Sequence, residues 1–263
     1  MASKEIERIV MELRPIDDTY MNIIFSNNIP LVEYVLRIIL DKADLTIIES
    51  KTQEKTNFVG SRNVTFDVLA KDSSGELLNI EVQRGDSGAG AKRARYHSAA
   101  LDVKSLPSGA KFSELIDSYV IFITENDVLK GNRATYRIER SVEGTNEKFN
   151  DGAHIIFVNA SYNNTDSEIG KLMHDFLCSD SKEMLYEPLA EITYKYKNTP
   201  EGVGFMCKAE EEYGLMKEKE GIEKGVLRAV MKFIQKGKLS YEEIAETMEM
   251  PVEEIQRLAA QIS

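Results

Sequence analysis

Val64-Thr65-Phe66-Asp67-Val68-Leu69-Ala70-Lys71 and Leu77-Leu78-Asn79-Ile80-Glu81-Val82-Gln83-Arg84 are two runs separated by Asp72-Ser73-Ser74-Gly75-Glu76. Both runs alternate apolar and polar residues with period two, the pattern of β-strands. The link reads as a three-residue hairpin loop, Ser73-Ser74-Gly75, because a type I turn followed by a left-handed residue favours Gly. Such a loop pairs Asp72 with Glu76, and counting back along the strands sets Asp67 opposite Glu81. One face then holds Val64, Phe66, Val68 and Ala70 with Leu78, Ile80 and Val82, and belongs in a core. The other holds Thr65, Asp67 and Leu69 with Asn79, Glu81 and Gln83.

Side chains directly opposed on a hairpin have Cβ atoms roughly 4.5–5.5 Å apart. Two carboxylates at that separation repel unless a cation lies between them, and hard divalent ions such as Mg²⁺ or Mn²⁺ prefer oxygen ligands. The ordinary alternative is a solvated strand face that carries acids without employing them. Against it, Asp is disfavoured inside strands, and a sequence under selection for folding alone would set Lys opposite one of the acids. Gln83, two residues beyond Glu81, points the same way and is placed to orient a water or a phosphate.

Around this hairpin the order of elements predicts a mixed α/β sheet flanked by helices. Residues 5–13 read as an amphipathic helix. Asp17 and Asp18 are candidate caps for a helix with Tyr20, Ile24 and Phe25 on its apolar side, and Pro30 opens a longer one with Val32, Val35, Leu36 and Ile39 at helical spacing. Leu45 to Phe58 reads as a strand. A Gly-containing segment, Gly85 to Gly90, leads into a basic helix from Lys92 to about Val103. Strands are expected at Ser118–Thr124, Ala134–Arg140 and His154–Asn159, and helices at about 167–178 and 183–195. Pro200-Glu201-Gly202 marks the expected domain boundary, giving residues 1–199 and a helical region 200–263.

With 263 residues, 42% hydrophobic and 29% charged, the chain can bury a substantial core. A net charge of −11 argues against a protein that coats nucleic acid nonspecifically. It leaves room for a local basic patch beside an acidic site. The two cysteines, Cys178 and Cys207, lack the spacing of a zinc site or a disulfide framework, which fits a reducing cytoplasm. The opening Met-Ala-Ser-Lys-Glu does not read as a signal peptide, and the apolar stretch Leu31–Leu40 is too short to span a bilayer, so no membrane partner is expected.

Phe66-Asp67-Val68 followed by Ile80-Glu81-Val82-Gln83 resembles the PD-(D/E)XK nuclease superfamily, and more narrowly its recombination-promoting nuclease and transposase group. Asp18-Thr19-Tyr20-Met21-Asn22-Ile23-Ile24-Phe25 is similar to that group's N-terminal Asp/Phe motif. Lys92-Arg93-Ala94-Arg95-Tyr96 resembles its basic segment, and the strand Tyr119–Thr124 fits as well. The resemblance covers about residues 14–210. It implies a restriction-endonuclease-like αβββαβ core with a C-terminal helical appendage, cleavage of DNA with Mg²⁺ (or Mn²⁺), and a role in recombination or mobile elements. Asp67 and Glu81 would hold the metal, the backbone carbonyl of Val82 could add a ligand, and Gln83 would orient the attacking water. Three positions depart from the pattern: Gln83 replaces the usual Lys, Phe66 precedes the Asp where Pro is common, and Asn22 stands where many members have Lys. A nuclease fold that binds DNA or a partner without cutting it is the competing reading.

Other signals are weaker. Lys92, Arg93 and Arg95 at a helix start suit nucleic-acid phosphates, with a solvated basic turn as the alternative. Glu33 is a further acidic candidate, although a solvated helix face accounts for it better. The Gly segment is not a Walker A loop, because Ala91 takes the Lys position. His97, His154 and His174 are isolated and read as core or surface residues. At the end of the chain, Ser240-Tyr241-Glu242-Glu243 is a capping box. Two short helices around Pro251 follow and resemble a helix-turn-helix. The second begins Glu253-Glu254, which suits a helical interaction or homo-oligomerisation element better than base reading.

Overall fold

The computed structural model describes residues 4–57, 62–85, 89–162 and 164–260. Phe58, where the first strand is expected to end, and Asp86 to Gly88 in the Gly segment lie outside the described residues. Helices α1 (Lys4–Glu12), α2 (Asp18–Phe25) and α3 (Ile29–Leu40) precede strands β1 (Ile47–Thr56), β2 (Val64–Asp72) and β3 (Leu77–Gln83). Helix α4 (Ala91–Ser105) crosses over to β4 (Ser118–Thr124), followed by β5 (Thr135–Ile138) and β6 (Ala153–Asn159). Helices α5 (Glu168–Leu177), α6 (Glu187–Asn198), α7 (Pro200–Lys236), α8 (Tyr241–Met248) and α9 (Val252–Ala260) complete the chain.

The six strands form one mixed sheet in the order β1-β2-β3-β4-β6-β5. Strands β1, β2 and β3 are antiparallel, β4 and β6 run parallel to β3, and β5 is antiparallel to β6. The segment α3-β1-β2-β3-α4-β4 is the expected αβββαβ core. Its central strand β4 is buried along its whole length, because helices cover both faces of the sheet.

The hairpin turn forms as its sequence demands. Gly75 N–H bonds to the Asp72 carbonyl at 3.1 Å, Asp72 N–H to the Glu76 carbonyl at 3.1 Å, and Gly75 takes φ +94°. The Asp72 carboxylate also accepts the amides of Ser74 and Glu76 at 3.0 and 2.8 Å. The register that follows is the predicted one: Lys71 faces Leu77, Ala70 faces Leu78, Leu69 faces Asn79 and Val68 faces Ile80.

The sheet separates two cores. Val68, Ala70, Leu78, Ile80, Val82, Ile121 and Ile123 pack with the apolar sides of α2, α3 and α5. Val64, Phe66, Leu69, Val120, Phe122 and Phe157 pack with Ala94, Ala100 and Leu101 of α4. Phe66 and Val64 therefore lie on the α4 side with Leu69, not on the face of Val68 and Ala70 as strict alternation predicts. The alternation of β2 inverts around Asp67. Pairing with β1 skips the Gln53–Asp67 position, where Gln53 has φ +54°, and pairing with β3 stops at Val68. A local break in the ladder on both sides of Asp67 accounts for the change of face.

Helix boundaries follow local chemistry. Asn28 caps α3 by accepting the Leu31 amide at 3.3 Å, and Pro30 occupies its first turn. Asp17 sits at the N-cap of α2, but its carboxylate turns back to the Arg14 amide at 2.7 Å instead of capping. α6 starts at Glu187, later than the expected 183. The buried Asp175 carboxylate takes the amides of Leu185 and Tyr186 at 2.8 Å each, and Pro188 sits in the first helical turn.

The chain divides into two compact units, Met1–Cys207 and Lys208–Ser263. The second has its own small core of Val230, Ile244, Ala245 and Ile255. Ser240 and Glu243 form the reciprocal capping box at the start of α8, with bonds of 3.1 and 2.7 Å. Among the described residues no single helix is long and apolar enough to cross a membrane.

Candidate active site

Where β2 and β3 part, the two acids of the hairpin take over the work of the ladder. Glu81 Oε1 accepts the backbone N–H of Asp67 at 3.3 Å, and Asp67 Oδ2 accepts the backbone N–H of Val82 at 3.2 Å. Each carboxylate thus accepts a backbone amide of the opposite strand. Glu81 has no exposed surface, and Asn79 beside it has none either. A solvated strand face is thereby excluded: α4 covers this side of β3.

A buried anion needs compensation, and the residues around Glu81 supply it. Asn79 Nδ2 donates to Oε1 at 3.1 Å, and His97 Nδ1 lies 3.3 Å from the same oxygen. Arg93 pairs with Oε2 at 3.0 Å. Arg93 also donates to Gln83 Oε1 at 3.2 Å and to His97 Nε2 at 3.4 Å, and its guanidinium lies over the Phe122 ring. His97 is itself buried, edge-on to both Phe66 and Phe122.

Asp67 is less well compensated. Gln53 Nε2 donates to its Oδ1 at 3.2 Å and to Asn22 Oδ1 of α2 at 3.0 Å. Burial, then the neighbouring charges of Glu81 and Asp18, raise its carboxyl to about 7, against the lowering effect of the Val82 amide and Gln53. Helix α2 therefore presents Asp18 and Asn22, one turn apart, towards Asp67. At the same end of the sheet Arg84 pairs with Asp17 at 2.8 Å and with Glu125, which also binds Arg14 at 2.9 Å.

A carboxylate pair, one member buried and the other half-buried, is a donor set that fits a hard divalent ion. Among the described residues no cluster of three His, Cys, Asp or Glu side chains is placed to hold a metal. An ion at Asp67 and Glu81 would complete its shell from backbone carbonyls and water, as Mg²⁺ commonly does. Glu33 takes no part: it accepts the Ile47 amide at 2.9 Å and pairs with Arg37 at 2.7 Å.

The basic helix start opens onto a groove of about 800 Å³ lined by Arg62, Asn63, Thr65, Lys92, Arg95 and Tyr96, with Arg93 and His97 at its inner end. Tyr96 ties this wall together by donating to the Arg62 carbonyl at 2.6 Å. Of the three bases singled out in the sequence, Lys92 and Arg95 line the groove, while Arg93 turns inward to Glu81 and Gln83. Sequence reasoning missed Asn79, His97, Gln53 and Arg62. His97 is four residues beyond Arg93, one helical turn on the same face, and that spacing was the signal available for it.

The family model described as PD-(D/E)XK nuclease family transposase matches residues 26–174, more than half of the chain. No curated protein matches it.

Proposed function

Because the chain belongs to the PD-(D/E)XK nuclease family of transposases, we propose that it is a divalent-metal-dependent DNA endonuclease serving recombination or a mobile element. The observation that carries this reading is the Asp67–Glu81 pair at the strand fork, Glu81 buried and Asp67 half-buried, beside a groove lined by bases. Asp67 and Glu81 would hold Mg²⁺ or Mn²⁺, with the Val82 carbonyl as a further ligand. Once bound, the ion would polarise the scissile phosphate and favour attack by water.

The remaining steps fall to the chain's own residues. Lys92, Arg95 and Arg62 would hold the phosphates of the duplex along the groove and set its register. Gln83, whose carbonyl oxygen accepts from Arg93 in the metal-free protein, would offer its amide donors to the attacking water or a phosphate oxygen. It has no basic group, so it orients and does not remove a proton. Asn79 and His97 fix the rotamer of Glu81, and Gln53 fixes that of Asp67. The exposed Leu215, Met216 and Ile222 of α7 support self-association through the C-terminal helices. Cys178 and Cys207 are buried and not joined in a disulfide, which suits a cytoplasmic site of action.

Supercoiled plasmid incubated with the protein and Mg²⁺ or Mn²⁺ tests the reading. Nicked or linear product that EDTA prevents is expected, and a folded protein inert with both ions contradicts it. In that case the second reading, a nuclease fold that binds without cutting, is favoured by Gln83 at the usual Lys position and by Arg93 lying across Glu81.

A further inference from the structure

Arg93 lines the basic groove and pairs with the buried Glu81. We propose that Arg93 is an internal counter-cation: a divalent ion displaces it from Glu81, and the released guanidinium then takes a phosphate of the nucleic acid in the groove. The inference rests on the metal-and-DNA reading above and adds the coupling between the two ligands.

The two oxygens of Glu81 are differently engaged. Oε1 accepts from the Asp67 amide and Asn79 and faces His97, so its lone pairs are taken. Oε2 is the oxygen paired with Arg93 at 3.0 Å. An ion reaching Glu81 from the groove therefore meets the lone pair that the guanidinium holds. The contest is unequal. A divalent ion carries twice the charge and sits about 2.1 Å from a carboxylate oxygen, so at equal dielectric it attracts that oxygen roughly three times as strongly. The ion and the guanidinium also repel each other.

Arg93 is accessible from solvent: its side chain is 40% exposed, it lies in the first turn of α4, and two of its contacts, to Gln83 and His97 at 3.2 and 3.4 Å, are longer than the one to Glu81. Arg93, which pairs with Glu81, also lines the groove whose wall carries Arg62, Lys92 and Arg95. Without metal, the arrangement neutralises Glu81 and keeps one phosphate-binding group turned inward. With metal, the acid is neutralised by the ion and the groove gains a cation.

Calorimetric titration of the full chain with MnCl₂ alone tests the first half. Arg93→Gln, which removes the competing charge, is expected to bind Mn²⁺ about tenfold more tightly than wild type. Arg93→Lys, which retains the charge, should stay near wild type. Should the Gln variant not fold by circular dichroism, Arg93→Met, which keeps an apolar stem over Phe122, carries the same expectation. The second half is read by fluorescence anisotropy of a labelled duplex with and without Ca²⁺. Ca²⁺ should raise duplex affinity several-fold more for wild type than for the Gln variant.

Equal or weaker Mn²⁺ binding by the charge-removing variants, or an equal gain from Ca²⁺, overturns the exchange. If wild type still cuts plasmid in that event, the exchange fails and the nuclease reading stands. If wild type neither takes up Mn²⁺ nor cuts, both fall.

Discussion

Asp67 and Glu81 are joined through each other's strands: Glu81 accepts the Asp67 amide at 3.3 Å, and Asp67 accepts the Val82 amide at 3.2 Å. The two acids are thus the closure of the hairpin's open end as well as its concentration of charge. Side chains that complete a ladder are held in one rotamer, which is the preorganisation a metal site requires. The same arrangement places two negative charges where little solvent screens them, and the fold bears the cost.

That cost predicts a pH dependence. The Asp67 carboxyl is raised from 3.8 to about 7, so between those values the folded state binds more protons than the unfolded chain. Stability of the metal-free protein therefore falls as pH rises from about 4 to about 7. Asp67→Asn should flatten this slope and, above pH 7, stabilise the metal-free protein by on the order of 2 kcal/mol, allowing for partial exposure. Urea unfolding in EDTA at acid and neutral pH checks it; an Asn variant less stable than wild type at neutral pH contradicts it.

Lys92 and Arg95 line the groove without touching the acids. Each replaced by Ala should weaken duplex binding to a similar extent whatever the base sequence, and should reduce the slope of log affinity against log salt by about 1. Anisotropy titrations over a range of salt concentrations report both quantities. A loss confined to one DNA sequence would mean that these side chains read bases instead.

The register that brings Asp67 to Glu81 depends on Gly75 at φ +94°. An added Cβ would meet nothing closer than Lys71 Cε at 4.0 Å, so Gly75→Ala carries conformational strain without a clash. A destabilisation of about 1–2 kcal/mol is expected from urea unfolding. No loss would show that the turn tolerates a side chain and does not depend on Gly.

The buried Lys197 donates to the carbonyls of Met11 at 3.0 Å and Ser179 at 2.8 Å, and also to that of Leu13. It ties α6 to the C-terminal end of α1 and the residue just beyond it, and to the segment after α5. Lys197→Met keeps the length of the stem but strands three acceptors, and should cost about 3 kcal/mol of stability. A cost below about 1 kcal/mol would mean that water replaces the ammonium there.

The elements of the core were legible in the sequence because each carried its own local signal. Period-two alternation marked β2 and β3, Ser73-Ser74-Gly75 fixed their register, and Pro30 and Ser240 marked helix starts. The inversion of faces at Asp67 was not legible. It depends on Gln53 adopting a left-handed conformation on the neighbouring strand, and no residue in β2 announces that. The partners of Glu81 were equally hidden, since Asn79 reads as a surface residue and His97 as isolated until α4 folds back over β3. Arg93 reads as a base near a helix start, but its inward turn follows from the burial of Glu81, a tertiary property.

The metal-binding role of the fork between β2 and β3 is tested by comparing Asp67→Ala and Glu81→Ala with wild type in the plasmid assay with Mg²⁺ and Mn²⁺, with circular dichroism showing each variant folded. Wild type is expected to nick or linearise the plasmid, and each substitution alone to abolish cleavage. Cleavage at near wild-type rate by either folded variant would contradict that role, and would move the metal site away from the fork between β2 and β3.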